Sequence, residues 1–259
     1  MKIKRLGHAM YLFTTQKNKN YLVDPFLSVN PGCPLEYTEP AFLQTIDAVF
    51  LTHGHVDHTG GLAELKAANS DVLVIAQYEL AMILIQKGVS NVFPLNLGGQ
   101  IQLDGVTATM VQACHTSSYG ETEGLPIYAG EAAGYVFDFD GDRTVYHSGD
   151  TAMFSDMKLI SDFYRPDIAI LAASGQFTMG PREAAYCVKH LLDVKYVIPS
   201  HTFPTAETSP RPEVLAGTLQ MFPVVANMYH HKDQEFRELL ADFDKTEVVV
   251  LGYGEETEF

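Results

Sequence analysis

The stretch Leu51-Thr52-His53-Gly54-His55-Val56-Asp57-His58 places four potential metal ligands within six residues. It follows a short apolar strand expected at Ala48–Thr52 and precedes Gly60-Gly61. In near-extended backbone, alternate side chains share a face. His53, His55 and Asp57 are therefore expected to point one way and His58 another, so that one short turn serves two adjacent cations. Imidazoles suit Zn²⁺ and other borderline ions, and the added carboxylate favours a hard or borderline divalent ion. The other reading of the stretch is a His-rich surface loop.

The flanking sequence alternates strand and helix. Leu62 and Leu65 lie at helical spacing, and Asn69 can close that helix. Val72–Ala76 reads as an apolar strand, Tyr78–Lys87 as a helix stopped by Gly88, and Asn91–Leu95 as a further strand. This order predicts α/β layering. Before it, Lys2–Leu6, Ala9–Thr15 and Tyr21–Asp24 read as strands, with a polar turn at Gln16–Asn20. Residues 25–45 hold four prolines and a glycine and read as a surface loop. Beyond it, hairpins are expected over Ile101–Ala113 and Gly134–Ser148, the latter turning at Asp140-Gly141-Asp142. Ile168–Ala172, Tyr196–Pro199 and Val248–Leu251 read as buried strands.

Two helices are expected between these strands. In Pro181–Asp193, Ala184, Val188, Leu191 and Leu192 fall on one face. In Asp233–Phe243, Phe236, Leu239, Leu240 and Phe243 do the same, with Asp233 as N-cap. No repeat or low-complexity linker divides the chain, so residues 1–259 read as one domain.

Composition bounds the function. Of 259 residues, 46% are hydrophobic and 19% charged, as in ordinary globular proteins. No run of about 18 apolar residues suggests a membrane span. The formal charge of −15 argues against nucleic-acid partners, which need a cationic footprint. The three cysteines, Cys33, Cys114 and Cys187, form no CxxC motif, and the basic Met1–Leu6 segment does not read as a signal peptide. The expectation is a reducing cytoplasm and a small-molecule substrate. Cys114, beside His115 on a strand, is expected to face the core.

Further polar residues fall where strands end: His115 after Val106–Cys114, Asp150 in Ser148-Gly149-Asp150-Thr151, and His201 in Ser200-His201-Thr202. Sites of α/β proteins gather at such ends. No G-x-S-x-G, Walker A or G-x-G-x-x-G motif offers another chemistry.

T-H-x-H-x-D-H, then a strand-end His, then G-D-T, then a strand-end His resembles the metallo-β-lactamase superfamily over nearly the whole chain. The resemblance implies a four-layer αβ/βα sandwich with a binuclear site along one edge of two sheets. By position, His53, His55 and His115 would bind one metal, Asp57, His58 and His201 the second, and Asp150 would bridge them. Asp150 stands where true β-lactamases carry Cys or Ser, and His55 where flavodiiron proteins carry Glu. The chain ends soon after its final strand, without the helical domain of glyoxalase II, and leaves no room for the large insertion of the RNA-processing branch. Leu6-Gly7-His8-Ala9, Val23-Asp24-Pro25, Gly130-Glu131-Ala132-Ala133-Gly134-Tyr135 and Phe177-Thr178-Met179-Gly180-Pro181 resemble the branch of ascorbate-6-phosphate lactonase and small metal-dependent hydrolases. Ser200-His201-Thr202-Phe203-Pro204 and the loop Thr116–Ala129 depart from that branch.

The resemblance implies a hydrolase in which two divalent ions, Zn or Mn, hold a bridging hydroxide by lowering the pKa of water towards about 7. The expected substrate is a small ester, lactone or phosphodiester, with Asp57 orienting the hydroxide or taking its proton. Competing readings are a mononuclear iron dioxygenase of the persulfide type and a non-catalytic metal-binding protein. Asp24 reads as an acceptor for a metal-bound imidazole or as a plain Asp-Pro turn. His8 and His147 read as oxyanion-stabilising or proton-carrying groups, or as structural histidines. Arg182 reads as an anion contact or as a solvated first-turn residue. Tyr119, Tyr128 and Phe203 could rim the site or pack the loops, and His190, His230 and His231 read as structural or surface residues. A homo-oligomer is compatible with the family resemblance.

Overall fold

The computed structural model describes residues 1–259. Sixteen strands enter two large sheets and one hairpin. The first sheet is built from β1 (Lys2–Gly7), β2 (Met10–Thr14), β3 (Asn20–Val23), β4 (Ala48–Phe50), β5 (Leu73–Gln77) and β6 (Val92–Leu95). The second uses β7 (Gln100–Leu103), β8 (Val106–Gln112), β11 (Ala133–Phe139), β12 (Thr144–His147), β13 (Ile168–Ala172), β14 (Tyr196–Ser200) and β15 (Glu247–Val248). The hairpin β9 (Ser118–Thr122) and β10 (Leu125–Tyr128) stands apart, and β16 (Glu256–Glu258) returns to pair antiparallel with β1.

Both sheets are half antiparallel and half parallel. In the first, β1, β2 and β3 run antiparallel and β3, β4, β5 and β6 parallel. In the second, β7, β8, β11 and β12 run antiparallel and β12, β13, β14 and β15 parallel. In the parallel halves the C-terminal ends of neighbouring strands lie side by side, where sites of α/β proteins gather.

Three apolar layers hold the sheets and helices together. Between the sheets lie Phe13, Phe50, Tyr135, Phe137, Ile170 and Ile198, among others. Phe50 meets Tyr135 and Phe137 edge to face, its ring centre 5.3 Å and 5.0 Å from theirs. Outside the first sheet, α1 (Pro40–Leu43), α3 (Leu62–Ala68) and α4 (Tyr78–Gln86) bury Leu43, Leu62, Leu65, Leu80 and Leu84. Outside the second, α5 (Met157–Tyr164), α6 (Pro181–His190) and α8 (His231–Leu239) bury Met157, Ile160, Val188 and Phe236. This is the four-layer αβ/βα sandwich that the resemblance implies. No helix is long and apolar enough to cross a membrane.

Two tyrosines tie one sheet to the other where it matters for the site. Tyr135 of β11 donates its hydroxyl to the Leu51 carbonyl at 2.9 Å, and Tyr11 of β2 donates to the Pro199 carbonyl at 3.2 Å. Each buried hydroxyl thus finds a partner on the opposite sheet, just before a histidine-bearing turn.

Several local expectations need correction. Backbone after His55 is helical, not extended: α2 (Val56–Thr59) turns Asp57 away from His53 and His55 and towards His58. Residues 25–45 are not all loop, since a 3₁₀ turn at Leu35–Thr38 leads into α1. The Val248–Leu251 strand shrinks to the two-residue β15, at the edge of its sheet. Asp233 is no N-cap: α8 begins at His231, and Asp233 lies in its first turn with a buried carboxylate. Cys114 is exposed rather than in the core, because β8 stops at Gln112. α5, α7 (Pro212–Met221) and the hairpin β9–β10 are additional elements.

Candidate metal centre

Six of the site residues leave the C-terminal ends of strands. His8 follows β1, Asp24 follows β3, His53 follows β4, His115 follows β8, Asp150 follows β12 and His201 follows β14. The turn at His53-Gly54-His55 has no space for a side chain at Gly54, where a Cβ would lie 2.6 Å from the Ser118 carbonyl oxygen. Gly149 has φ +58°, and a Cβ there would run into the Ala133 carbonyl oxygen. Glycine is the residue that permits both the left-handed backbone and the close approach.

The ligand atoms form three overlapping groups, each with its atoms within 4.8 Å of one another. One is His53, His55 and His115; a second is His53, His58 and Asp150; the third is His8, Asp57, His58 and His201. Asp150 reaches both sides. Its Oδ2 lies 2.7 Å from His201 Nε2, 3.4 Å from His58 Nε2 and 3.8 Å from His115 Nε2.

The surrounding hydrogen bonds assign the tautomers. Asp24 Oδ1 accepts from the Thr52 backbone N–H, and its Oδ2 accepts from the Thr52 hydroxyl and from His58 Nδ1, both at 2.7 Å. The Thr52 hydroxyl proton is thereby committed, so the hydroxyl oxygen accepts from His53 Nδ1 at 3.0 Å. The Ser174 hydroxyl donates to the Gly175 carbonyl and accepts from His201 Nδ1 at 2.9 Å. All three rings therefore carry their proton on Nδ1 and turn an Nε2 lone pair inward. His58 Nε2, His201 Nε2 and Asp150 Oδ1 are buried there without a hydrogen-bond partner. Orphaned acceptors at this density are costly unless a cation completes them. His53 Nε2 and His55 Nδ1 also converge, 2.9 Å apart. The residues present fit divalent metal cations.

Electrostatics point the same way. Burial alone would lower His58, yet the carboxylates of Asp150, Asp24 and Asp57 outweigh it and hold the ring well above its usual range. His201 is raised as well: burial works against it, but Asp150 prevails. Burial would raise Asp150, but His201 and His58 hold it well below the usual carboxylate range. Asp57 is likewise held well below, because His58, His201 and His8 outweigh its burial. His53 falls well below its usual value through burial and through His58. The carboxylates that raise His58 and His201 would attract a metal cation in place of those protons.

The remaining candidates are placed as follows. His8 is buried, stacks 4.0 Å from His201 and 4.2 Å from Phe203, and contacts Asp57 Oδ2 through Nε2 at 3.1 Å. Burial and the neighbouring His201 push it down to about 4, so it is a neutral donor to that carboxylate. His147 lies outside the ligand groups. Its Nδ1 accepts from the Gly149 backbone N–H at 3.2 Å, and burial lowers it to about 4. Arg182 is exposed on the first turn of α6, apart from the cluster. Phe203 is buried, whereas Tyr128 is exposed. Ser174, Thr52 and Thr202 are site residues that the sequence does not single out. Thr52 and Thr202 adjoin ligand histidines, and that adjacency is the signal that could have found them.

Comparison with known proteins agrees with this geometry. The model of the β-lactamase superfamily domain matches residues 19–202. A UPF0173 metal-dependent hydrolase of Koribacter versatilis is 40% identical over 238 residues, covering 91% of this chain and 97% of the relative. A homologue of the same designation from Methanobrevibacter smithii is 40% identical over 215 residues, covering 81% of this chain and 86% of the relative. Among solved structures, the metallo-hydrolase Igni18 from Ignicoccus hospitalis superposes with a TM-score of 0.77 at 26% identity, over 100% of this chain and 98% of that one. An isothiocyanate hydrolase from Delia radicum gut bacteria shares the fold, with a TM-score of 0.71 at 22% identity over 100% of this chain and 99% of that one. With the histidine and aspartate cluster at the sheet edge and these relatives along most of its length, the chain belongs to the UPF0173 family of metal-dependent hydrolases, within the metallo-β-lactamase superfamily.

Proposed function

We propose that the protein is a binuclear metal-dependent hydrolase of a small ester, lactone or phosphodiester, holding two Zn or two Mn ions. The observation that carries this reading is the reach of Asp150: one carboxylate oxygen lies within 4 Å of a histidine in each of the outer groups. His53, His55 and His115 would hold one ion, and Asp57, His58 and His201 the other. Bound there, such ions supply Lewis acidity towards a carbonyl or phosphoryl oxygen and lower the pKa of water towards about 7.

The chain's own groups have separate tasks. His8, His58 and His201 all meet Asp57 through Oδ2. That leaves Oδ1, on a partly exposed side chain, to orient a water and take its proton. Asp24 and Ser174 fix the imidazole tautomers. Thiol chemistry is not an alternative at Cys33 or Cys187, since burial pushes both up to about 12. The three cysteines are free thiols. The net charge of −15 supports a small-molecule substrate over nucleic acid.

Elemental analysis of protein purified without chelator or His tag tests the reading. About two Zn or Mn per chain is the expected result, with hydrolysis of a generic aryl ester or bis-aryl phosphodiester that Asp57→Ala abolishes. One Fe per chain with oxygen uptake would replace it by the dioxygenase reading. No bound metal after reconstitution would overturn it.

A further inference from the structure

We infer that Arg5 and Asp233 are positioning residues for His201, acting through Thr202, and that they set the affinity of the cation group His201 belongs to. The inference rests on the reading of His201 as a metal ligand.

His201 has φ +69°, a left-handed backbone that a side-chain-bearing residue keeps only when its surroundings over-determine it. On the ring side one hydrogen bond, from Nδ1 to Ser174, fixes it. On the backbone side its N–H donates to the His8 carbonyl at 3.3 Å, and the next residue, Thr202, is held at three points. The Thr202 hydroxyl accepts from Arg5 Nη2 at 2.7 Å and lies 3.0–3.1 Å from the Asp233 carboxylate oxygens, to which it donates. Its carbonyl accepts from the Tyr253 hydroxyl at 3.1 Å. Thr202 therefore has almost no freedom, and the peptide that joins it to His201 inherits that restriction.

The clamp is built from a fully buried ion pair. Arg5 Nη1 donates to Asp233 Oδ2 at 2.8 Å and to the Leu251 carbonyl at 3.1 Å, while its guanidinium lies 5.0 Å from the centre of the Tyr253 ring. Such pairs are weak evidence for stability, because apolar residues of similar volume do as well. What an apolar pair cannot do is direct hydrogen bonds. The planar fork of Arg5 spans Asp233 and Thr202 at once, which fixes the orientation of the hydroxyl between them. The residues are far apart in sequence, from the first strand, from α8 and from the turn before β16, and they converge on the residue beside a ligand. Supporting groups of this kind typically change metal affinity by about 10–100-fold.

The test compares Thr202→Val, Thr202→Ser and Tyr253→Phe with the wild type by competitive chelator titration with Zn²⁺. Metal content is measured on the same samples. Wild type is expected to bind two equivalents. In Thr202→Val one equivalent weakens by about 10–100-fold while the other is unchanged. Thr202→Ser, which keeps the hydroxyl, restores both, and Tyr253→Phe weakens the same equivalent by less. Both equivalents at wild-type affinity in Thr202→Val would overturn the inference and leave the binuclear reading standing, whatever happens to stability. If Thr202→Val does not fold, unchanged affinities in the Arg5→Met, Asp233→Leu double variant overturn it instead. A wild type that binds only one equivalent removes the binuclear reading, and the inference with it.

Discussion

The carboxylate of Asp24 lies 2.7 Å from Nδ1 of His58, with both side chains fully buried. This contact decides which nitrogen of His58 faces the cluster. Asp24 also sits at φ +54°, a conformation that Asn tolerates. Asp24→Asn should therefore fold, yet weaken the hold on Nδ1–H and lower Zn²⁺ affinity by about 10–100-fold. Chelator competition measures this; an unchanged affinity would show that His58 needs no such partner. Asp24→Ala should also lose stability, since it strands the Thr52 backbone N–H and the His58 Nδ1–H.

Asp57 is the one ligand candidate in its group that is partly exposed. If its free oxygen takes a proton from water, Asp57→Asn should lower kcat by about 10²–10⁴-fold. The group around His53, His55 and His115 should keep its metal. Steady-state kinetics on a generic aryl ester, with metal analysis of the same preparation, separates the two effects. Wild-type turnover in that variant would remove Asp57 from the chemistry.

His147 makes metal-free protein sensitive to acid. Its folded pKa, about 4, lies below the value of about 6.5 expected in an unfolded chain, so the unfolded state binds more protons between those values. Stability associated with neutral His147 is complete above about pH 6.5 and is lost as pH falls towards 4. At 1.36 kcal/mol per unit this amounts to at most about 3 kcal/mol. Denaturant titrations at pH 7 and pH 4 should show a shallower loss in His147→Gln than in wild type. Equal slopes would contradict the burial-driven shift.

Breaking the Arg5–Asp233 pair should be worse than deleting it. Asp233→Ala leaves a buried guanidinium without its carboxylate and should cost about 3–5 kcal/mol in urea unfolding. Arg5→Met combined with Asp233→Leu should recover most of that loss. Recovery of stability without recovery of metal affinity would separate the two roles of the pair; a double variant no more stable than Asp233→Ala would contradict the account.

The candidate site was legible because the residues that could hold a cation are rare types crowded into one turn or standing at strand ends, where neighbouring backbone leaves little choice of direction. His53, His55, His115, Asp150 and His201 all follow strands whose apolar runs are plain in the sequence. The strand-to-helix change at His55 was less visible, because α2 is a single turn with no apolar period of its own. Asp233 reads locally as a cap, and only a cation from the other end of the chain explains its burial. Cys114 shows the same limit: the strand expected to run through it stops two residues short, at Gln112, and it faces solvent. Short edge strands such as β15 and β16 depend on tertiary pairing, which local propensity does not record.

The pairing of β16 with β1 also orders events during synthesis. Arg5 receives the Leu251 carbonyl, the Tyr253 ring and backbone bonds from Gly254 and to Glu255. A ribosome delivers these after every candidate ligand histidine and aspartate, and chains emerge at about 5–20 residues per second. For the seconds in between, the first strand waits at an open sheet edge, its guanidinium still without the Leu251 carbonyl and the Tyr253 ring. The turn at Tyr253 is thus the latch of the assembly line: the candidate ligands emerge early, and the last of the three holds on Thr202 arrives after them.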